Sequence, residues 1–453
     1  MEFDINLMFV SHFLKDHPII EESIKYKIKY LNALEYFVNK YSAKNKFSVS
    51  ALDNYKNVFL GVSKDSYTYR TQELKKMSKG VMGLKIKGFK FFTYRYAFIC
   101  DCLFINAMME PNKATSIIND IKFMCHKRHH RNLDRFFNYL YNDEESIQDL
   151  DKIKYQVKCW KINQRHIRQK QMTILTTATM SAGKSTLINT LVGKTVNRTM
   201  NDACTSKLHF VYNKPFEDGF NYKFDYDLNL NAGKKDLLTD DIDSKDNRIF
   251  ASTYFRQLIK GSSRLCIIDT PGVNSSQNYD HAQITKESIL NENYDKIVYI
   301  VNAENAGTDD DLKYLQFIYE NVDKKKLIFV LNKLDRFRVP EDSIEESINN
   351  LKKDLNKIGW ENPIICPVSS YVGGLAKKKM YGIDLNEDEE DEYKFLQMKF
   401  KKDEYNLSKF YSEDTLNKAI KNYSKHENYQ INDLLVKCGV LCLEQIVMEG
   451  AEY

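Results

Sequence analysis

The chain has 453 residues, room for two or three domains, and 43% of them are hydrophobic, ample for packed cores. Its 67 basic and 62 acidic residues leave a net charge of +5, a near balance that excludes a general polyanion binder and gives no case for nucleic acid as a partner. The nine cysteines include no Cys-x-x-Cys pair and read as buried free thiols rather than a disulfide or zinc framework.

The first residues, Met1-Glu2-Phe3-Asp4, are acidic where a signal peptide needs positive charge. The longest apolar run, 96–109, is too short to span a bilayer and carries Asp101 in its middle. A cytoplasmic protein is expected. Residues 1–166 read as helical, because Ile24, Ile28, Leu31, Leu34 and Val38 recur at helical spacing, as do Leu133, Phe136, Phe137 and Leu140. The segment Cys125-His126-Lys127-Arg128-His129-His130-Arg131 reads as a solvated basic helix face, since no second ligand cluster with zinc spacing accompanies it.

From 167 the pattern changes. Apolar runs at 172–175, 208–212, 265–268, 297–301, 327–331 and 364–368 alternate with helical candidates at 186–193, 281–292, 309–322 and 341–358. That alternation predicts an α/β domain, a mostly parallel sheet flanked by helices, over 167–375. Within it, 213–250 is a polar insertion in which Tyr222, Phe224, Tyr226 and Leu228 alternate with period two, the mark of an edge strand. Residues 376–453 read as an insertion followed by helices. Lys377-Lys378-Lys379 and the acidic run 387–392 are expected to be solvated. Ile431, Leu434, Leu435, Cys438, Leu441, Cys442 and Gln445 trace an apolar stripe expected to dock on the N-terminal helices.

The chemistry lies in the α/β region. Thr177-Ala178-Thr179-Met180-Ser181-Ala182-Gly183-Lys184-Ser185-Thr186 follows a strand and opens a helix, the context in which successive backbone N–H groups and a helix N-terminus face one anionic pocket. Met180, Ser181, Ala182, Gly183, Lys184, Ser185 and Thr186 are therefore expected to contact nucleotide, with Lys184 on the β- and γ-phosphates and Ser185 on Mg²⁺. The first glycine of the usual pattern is Ala178 here, tolerable if its φ stays negative. Thr205, about twenty residues further on, stands where a switch threonine completes the Mg²⁺ shell and holds the attacking water. Asp269-Thr270-Pro271-Gly272 ends a strand, with Asp269 supporting the metal and the Gly272 N–H approaching the γ-phosphate. Asn332-Lys333-Leu334-Asp335 ends another; the acceptor-only carboxylate of Asp335 matches the N1–H and N2–H₂ donors of guanine. Ser369-Ser370 is expected to place backbone donors near guanine O6. The order of these motifs is that of a guanine-nucleotide-binding protein, so GTP or GDP with Mg²⁺ is the expected ligand.

Together with Asn201-Asp202-Ala203-Cys204-Thr205, Val273-Asn274-Ser275-Ser276, Val301-Asn302-Ala303 and Gly307-Thr308-Asp309-Asp310, these motifs resemble the dynamin superfamily of large GTPases, in particular bacterial dynamin-like proteins. The resemblance covers roughly 166–375. It implies GTP hydrolysis that drives movement of helical regions, homodimerisation through the GTPase domain, and a role for Ser181 in shielding or positioning charge during hydrolysis. Two departures stand out. Many dynamins carry a glutamine where Met180 stands, and a thioether cannot hold the catalytic water as an amide does; this leaves a slowly hydrolysing GTP-dependent switch or scaffold as the alternative reading. Only about 80 residues follow Ser370, which suits a shortened helical bundle, protein partners on the helical flanks and at most weak peripheral attachment to a membrane.

Overall fold

The computed structural model describes residues 4–61, 91–123, 127–142, 150–179, 181–197, 207–239, 247–258, 263–272, 279–305, 307–339, 341–423 and 429–449. Met180 and Thr205 lie outside them, as do Val273-Asn274-Ser275-Ser276, the whole of Asn201-Asp202-Ala203-Cys204-Thr205, and Cys125 and His126. The chain divides into two compact units. One comprises Met1–Arg168 with Pro215–Tyr222 and Asp227–Asn231; the other comprises Gln169–Lys214, Lys223–Tyr226 and Ala232–Tyr453.

The first unit is helical: α1 (Ile24–Tyr41), α2 (Lys46–Leu60), α3 (Phe91–Ala107), α4 (Pro111–Phe123), α5 (His130–Asn142) and α6 (Lys154–Arg168). Side-chain caps start the first two, with Ser23 accepting from the Tyr26 N–H and Asn45 from the Ser48 N–H. The expected face of α1 is rotated slightly. Leu31, Leu34 and Val38 are buried, but Ile24 is 54% exposed, and Tyr26, Tyr30 and Phe37 complete the buried stripe. The core is aromatic, with Phe9, Phe13, Phe47, Phe98, Phe104, Phe136 and Trp160 buried. Asp101, the charge that interrupts the apolar run, is fully buried and accepts from Tyr30 Oη at 2.5 Å and Tyr55 Oη at 3.0 Å, with His17 Nε2 at 3.1 Å. A buried carboxylate requires such partners.

The second unit is built on a mostly parallel sheet. Its strands are β1 (Met172–Ala178), β2 (Leu208–Asn213), β3 (Tyr222–Phe224), β5 (Arg248–Thr253), β6 (Leu265–Asp269), β7 (Lys296–Asn302), β8 (Leu327–Asn332) and β9 (Ile365–Pro367), ordered β3-β5-β2-β6-β1-β7-β8-β9, while β4 (Leu228–Asn229) falls in the first unit's segment. From β6 to β9 neighbours run parallel, while β2 is antiparallel to β6. The α/β reading stands, with each predicted apolar run in a strand. The edge alternation at 222–228 forms β3 and β4 rather than one strand, and β5 adds a strand that its mixed Arg-Ile-Phe-Ala-Ser-Thr sequence does not announce.

The helices of this unit are α7 (Lys184–Val192), α8 (Lys234–Leu238), α9 (Tyr279–Asn291), α10 (Asp309–Asn321), α11 (Ile344–Ile358), α12 (Ser370–Met380), α13 (Glu387–Lys399), α14 (Glu413–Tyr423), α15 (Tyr429–Lys437) and α16 (Val440–Val447). The tail differs from its expectation. Leu443, Val447 and Met448 of the C-terminal segment sit in one core with Leu187, Ile188 and Leu191 of α7 and Ile174, Ile267 and Val298 of the sheet. Lys377 of α12 and Glu444 of α16 form a buried ion pair at 2.5 Å. The residues of the apolar stripe expected to dock on the N-terminal helices, Ile431, Leu434, Leu435, Cys438, Leu441 and Cys442, are buried, and 376–453 belongs to the same compact unit as the central strands. Gly439 lets this happen: its φ is +78°, and a Cβ there would stand 2.2 Å from the Pro367 carbonyl oxygen. The two opposed charge runs are only partly solvated: Glu387, Asp388, Asp391 and Glu392 are exposed, while Lys377 is buried. Asn386 caps α13 in a box with Glu389, and Lys378–Glu389 and Lys379–Glu390 pair at 2.5 Å each.

Candidate functional site

The carboxyl ends of β1, β6, β8 and β9 bring the sequence motifs to one edge of the sheet, where ligands of α/β folds bind. Ala178 is the last residue of β1 and lies outside the left-handed region, so the missing first glycine costs nothing. The loop then turns through Ser181 at φ +58° and Gly183 at φ +86° into α7. Glycine is required at 183, since a Cβ would come within 2.5 Å of Asn332 Nδ2. Ala182 is buried, Ser181 is exposed, and Ser185 and Thr186 are half-buried in the first turn of α7.

At this end of the site the charges answer one another. Lys184 Nζ donates to Asp269 Oδ1, and both side chains are buried. Asn197 Nδ2 donates to Asp269 Oδ2 at 2.5 Å, while Asn197 Oδ1 is buried without a partner among the described residues. Asn197 is itself set by Asn189, whose Oδ1 accepts from the N–H groups of Val196 and Asn197 at 2.8 and 2.9 Å. Thr270 Oγ1 ties the start of the next loop to the Thr176 carbonyl at 3.0 Å, and Gly272 is half-buried beyond it. Nothing in the sequence marks Asn197. Its place on Asp269 is a tertiary fact.

At the other end, Asn332 joins three loops. Its Nδ2 donates to the Ala182 carbonyl at 2.9 Å, and its Oδ1 accepts from Ser370 N at 3.1 Å and Ser370 Oγ at 2.6 Å. It positions the loops by these bonds. Ser369 Oγ donates to Asp335 Oδ1 at 2.5 Å, and Asp335 Oδ2 has no hydrogen-bond partner among the described residues. The serine pair therefore works differently from expectation. The Ser369 N–H is bonded to the Cys438 carbonyl at 3.0 Å and the Ser370 N–H to Asn332, so neither amide is left for guanine O6. Lys333 takes a left-handed conformation at φ +69°. Burial, with Arg336 beside it, lowers its pKa against the pull of Glu304 and Asp335.

Gly183, Thr186, Asn332, Lys333, Asp335 and Ser370 line a cavity of about 340 Å³. Tyr371, Glu392, Phe395 and Leu396 close its remaining side, and none of these four is marked by a nucleotide motif.

Residues 174–334 match the Dynamin family. The central domain is similar to the dynamin family over that segment. A curated relative, the probable chloroplastic transmembrane GTPase FZO-like of Arabidopsis thaliana, is 32% identical over 105 residues, which is 23% of this chain and 11% of that protein. The chain thus spans about a tenth of the length of the relative it matches. Among solved structures, one of an oligomerised bacterial dynamin pair covers 74% of this chain and 60% of its own at 16% identity and TM-score 0.36. Toc33 from Arabidopsis thaliana, in a dimerization-deficient mutant, covers 46% of this chain and 74% of its own at 17% identity and TM-score 0.30. Likeness at that level says nothing of activity or assembly.

The dynamin-family segment ends at residue 334, so Asp335, Ser369, Ser370 and the α13 residues lie beyond it. What they contribute rests on their geometry alone.

Proposed function

We propose that the dynamin-like domain binds GTP and GDP with Mg²⁺ and hydrolyses GTP. The observation that carries this is the Asp335 carboxylate. One oxygen is fixed by Ser369, the other has no hydrogen-bond partner among the described residues, and Asp335 lines a cavity that runs to the phosphate loop at Gly183 and Thr186. A fixed acceptor there accepts from the N1–H and N2–H₂ of guanine and repels the acceptor edge of adenine. Asn332 holds the phosphate and base loops in register. Lys184 and the loop amides take the phosphates.

The residues present fit Mg²⁺. Asp269 and the Ser185 hydroxyl are hard oxygen donors, too few for an all-protein cage and suited to a cation completed by phosphate and water. The Asn197 amide that donates to Asp269 Oδ2 orients that carboxylate, and its own Oδ1 is buried with no partner among the described residues. When bound, the ion would neutralise charge on the phosphates. Lys184 can turn from Asp269 to a phosphate only if Asp269 keeps a positive neighbour, because a buried carboxylate without one is costly. Nucleotide and divalent cation should therefore bind as a coupled pair. Thr205 and Ser181 are proposed to complete the metal shell and to position charge during hydrolysis.

This reading extends to a homodimer through the GTPase domain, nucleotide-coupled movement of the helical regions, protein partners on those regions, a cytoplasmic location and weak, salt-sensitive membrane attachment. No helix among the described residues is long and apolar enough to cross a membrane. The test is titration of fluorescent GTP and ATP analogues with and without Mg²⁺, followed by phosphate release across protein concentrations. Guanine-selective, Mg²⁺-coupled binding with turnover that rises with protein concentration is expected. Equal affinity for ATP and GTP would refute the base assignment.

A further inference from the structure

The helix α13 reads in sequence as an acidic run, yet it is fixed to both loops that flank the base end of the cavity. Lys399 Nζ donates to the carbonyls of Asp335 and Phe337 at 2.6 and 2.7 Å. Tyr371, next to the serine pair, donates its hydroxyl to Glu392, and Lys378 of α12 pairs with Glu389. Between these anchors the helix turns Phe395 and Leu396 to the cavity. Leu396 is 7% exposed and packed, whereas Phe395 remains 65% exposed. An aromatic ring left open to solvent beside a carboxylate acceptor suits a flat ligand that is apolar on its face and carries N–H donors on its edge.

We propose that Phe395 and Leu396 form an apolar wall of the guanine site, with Phe395 covering the base and setting how long nucleotide stays bound. This rests on the guanine reading above and adds a residue that no nucleotide motif contains. The wall excludes water from the hydrogen bonds to Asp335, and its rigidity comes from the Lys399 and Tyr371 anchors rather than from the ligand.

Stopped-flow chase of a fluorescent GDP analogue from the full chain tests it, in wild type, Phe395→Ala and Phe395→Tyr. Loss of the ring should raise the dissociation rate about tenfold, within the range of aromatic–base stacking, while Phe395→Tyr stays within about twofold because the ring face is kept. The thermal midpoint should not move in Phe395→Ala, because that side chain is mostly exposed. Preference for GDP over ADP should survive, because Asp335 is untouched. A wild-type chain that binds no guanine nucleotide overturns the base-site reading and the wall together. Tight wild-type binding with an unchanged dissociation rate in Phe395→Ala overturns the wall alone, as does an equal rise in Phe395→Ala and Phe395→Tyr.

Discussion

The two ends of the site are prepared in opposite ways. At the phosphate end the functional groups are engaged with one another: Lys184 neutralises Asp269, and Asn197 takes the second carboxylate oxygen. At the base end they are held by the serine pair, with Ser369 on Asp335 and Ser370 on Asn332, so that an acceptor is fixed and left open. Selectivity at the base end therefore needs no rearrangement, whereas the phosphate end must exchange one positive partner for another before it can act. A ligand should be recognised by its base first and locked by its phosphates and cation second.

Lys184 gives the harshest way to break this picture. Lys184→Met removes the phosphate ligand and strands a buried carboxylate, so nucleotide binding and turnover should both vanish. The ligand-free protein should also lose about 3–5 kcal/mol of stability, the usual cost of leaving half a buried pair. Adding Asp269→Asn should recover much of that stability in chemical denaturation without restoring binding. If Lys184→Met alone unfolds like wild type, the pair does not neutralise Asp269 in solution.

The base end is probed by Asp335→Asn, which swaps an acceptor for a donor while Ser369 still has an oxygen to bond. Preference should pass from guanine to xanthine nucleotides, whose C2 carbonyl suits the amide, by about 10⁴ in relative affinity. Competition titrations with GTP and XTP read this directly. Binding that weakens equally for both bases would mean that Asp335 supports the loop and does not read the base.

These expectations also mark what a reader of the sequence can and cannot see. The loops carrying Asp269 and Asp335 are legible because each follows an unbroken apolar run, as buried strands are written, and Lys184 is legible from the Gly183-Lys184-Ser185 turn that opens α7. The role of the serine pair is not. Which of its amides are free depends on the Cys438 carbonyl, brought in from a segment whose apolar stripe is equally consistent with docking elsewhere. The acidic run hides a helix for a similar reason. Its carboxylates suit a helix N-terminus, and two of them, Glu389 and Glu390, pair with Lys378 and Lys379 of α12 while the others are exposed. Tyr393, Phe395 and Leu396 just after the run are the signal that a helix face was being written there.

Ser369→Ala sharpens the difference between holding and reading. The carboxylate of Asp335 loses a hydrogen bond to a charged group, worth about 1.5–3 kcal/mol, so GTP and GDP affinity should fall about tenfold or somewhat more. Discrimination against ATP should stay, because the acceptor itself remains. Calorimetric titration of both nucleotides checks this, and a loss of discrimination would place Ser369 among the reading groups.

The smallest effect is expected at Asn197, and it separates the two ends most finely. Its amide orients Asp269 while its own carbonyl oxygen has no partner among the described residues, so Asn197→Ala removes a buried unpaired acceptor but leaves Asp269 Oδ2 without its donor, costing about 1–3 kcal/mol of stability, less than the loss at Lys184. What should also change is the metal requirement. Residues that orient a ligand carboxylate contribute about 10–100-fold to metal affinity when the ligation is direct. Asp269 is placed to act through water, and the effect should sit at or below the lower bound, about five- to tenfold in the Mg²⁺ concentration at half-maximal turnover. Base selectivity should be untouched, since Asn197 has no bond to Asp335 or Asn332. A shift in guanine preference without a shift in Mg²⁺ dependence would reverse the assignment of the two ends.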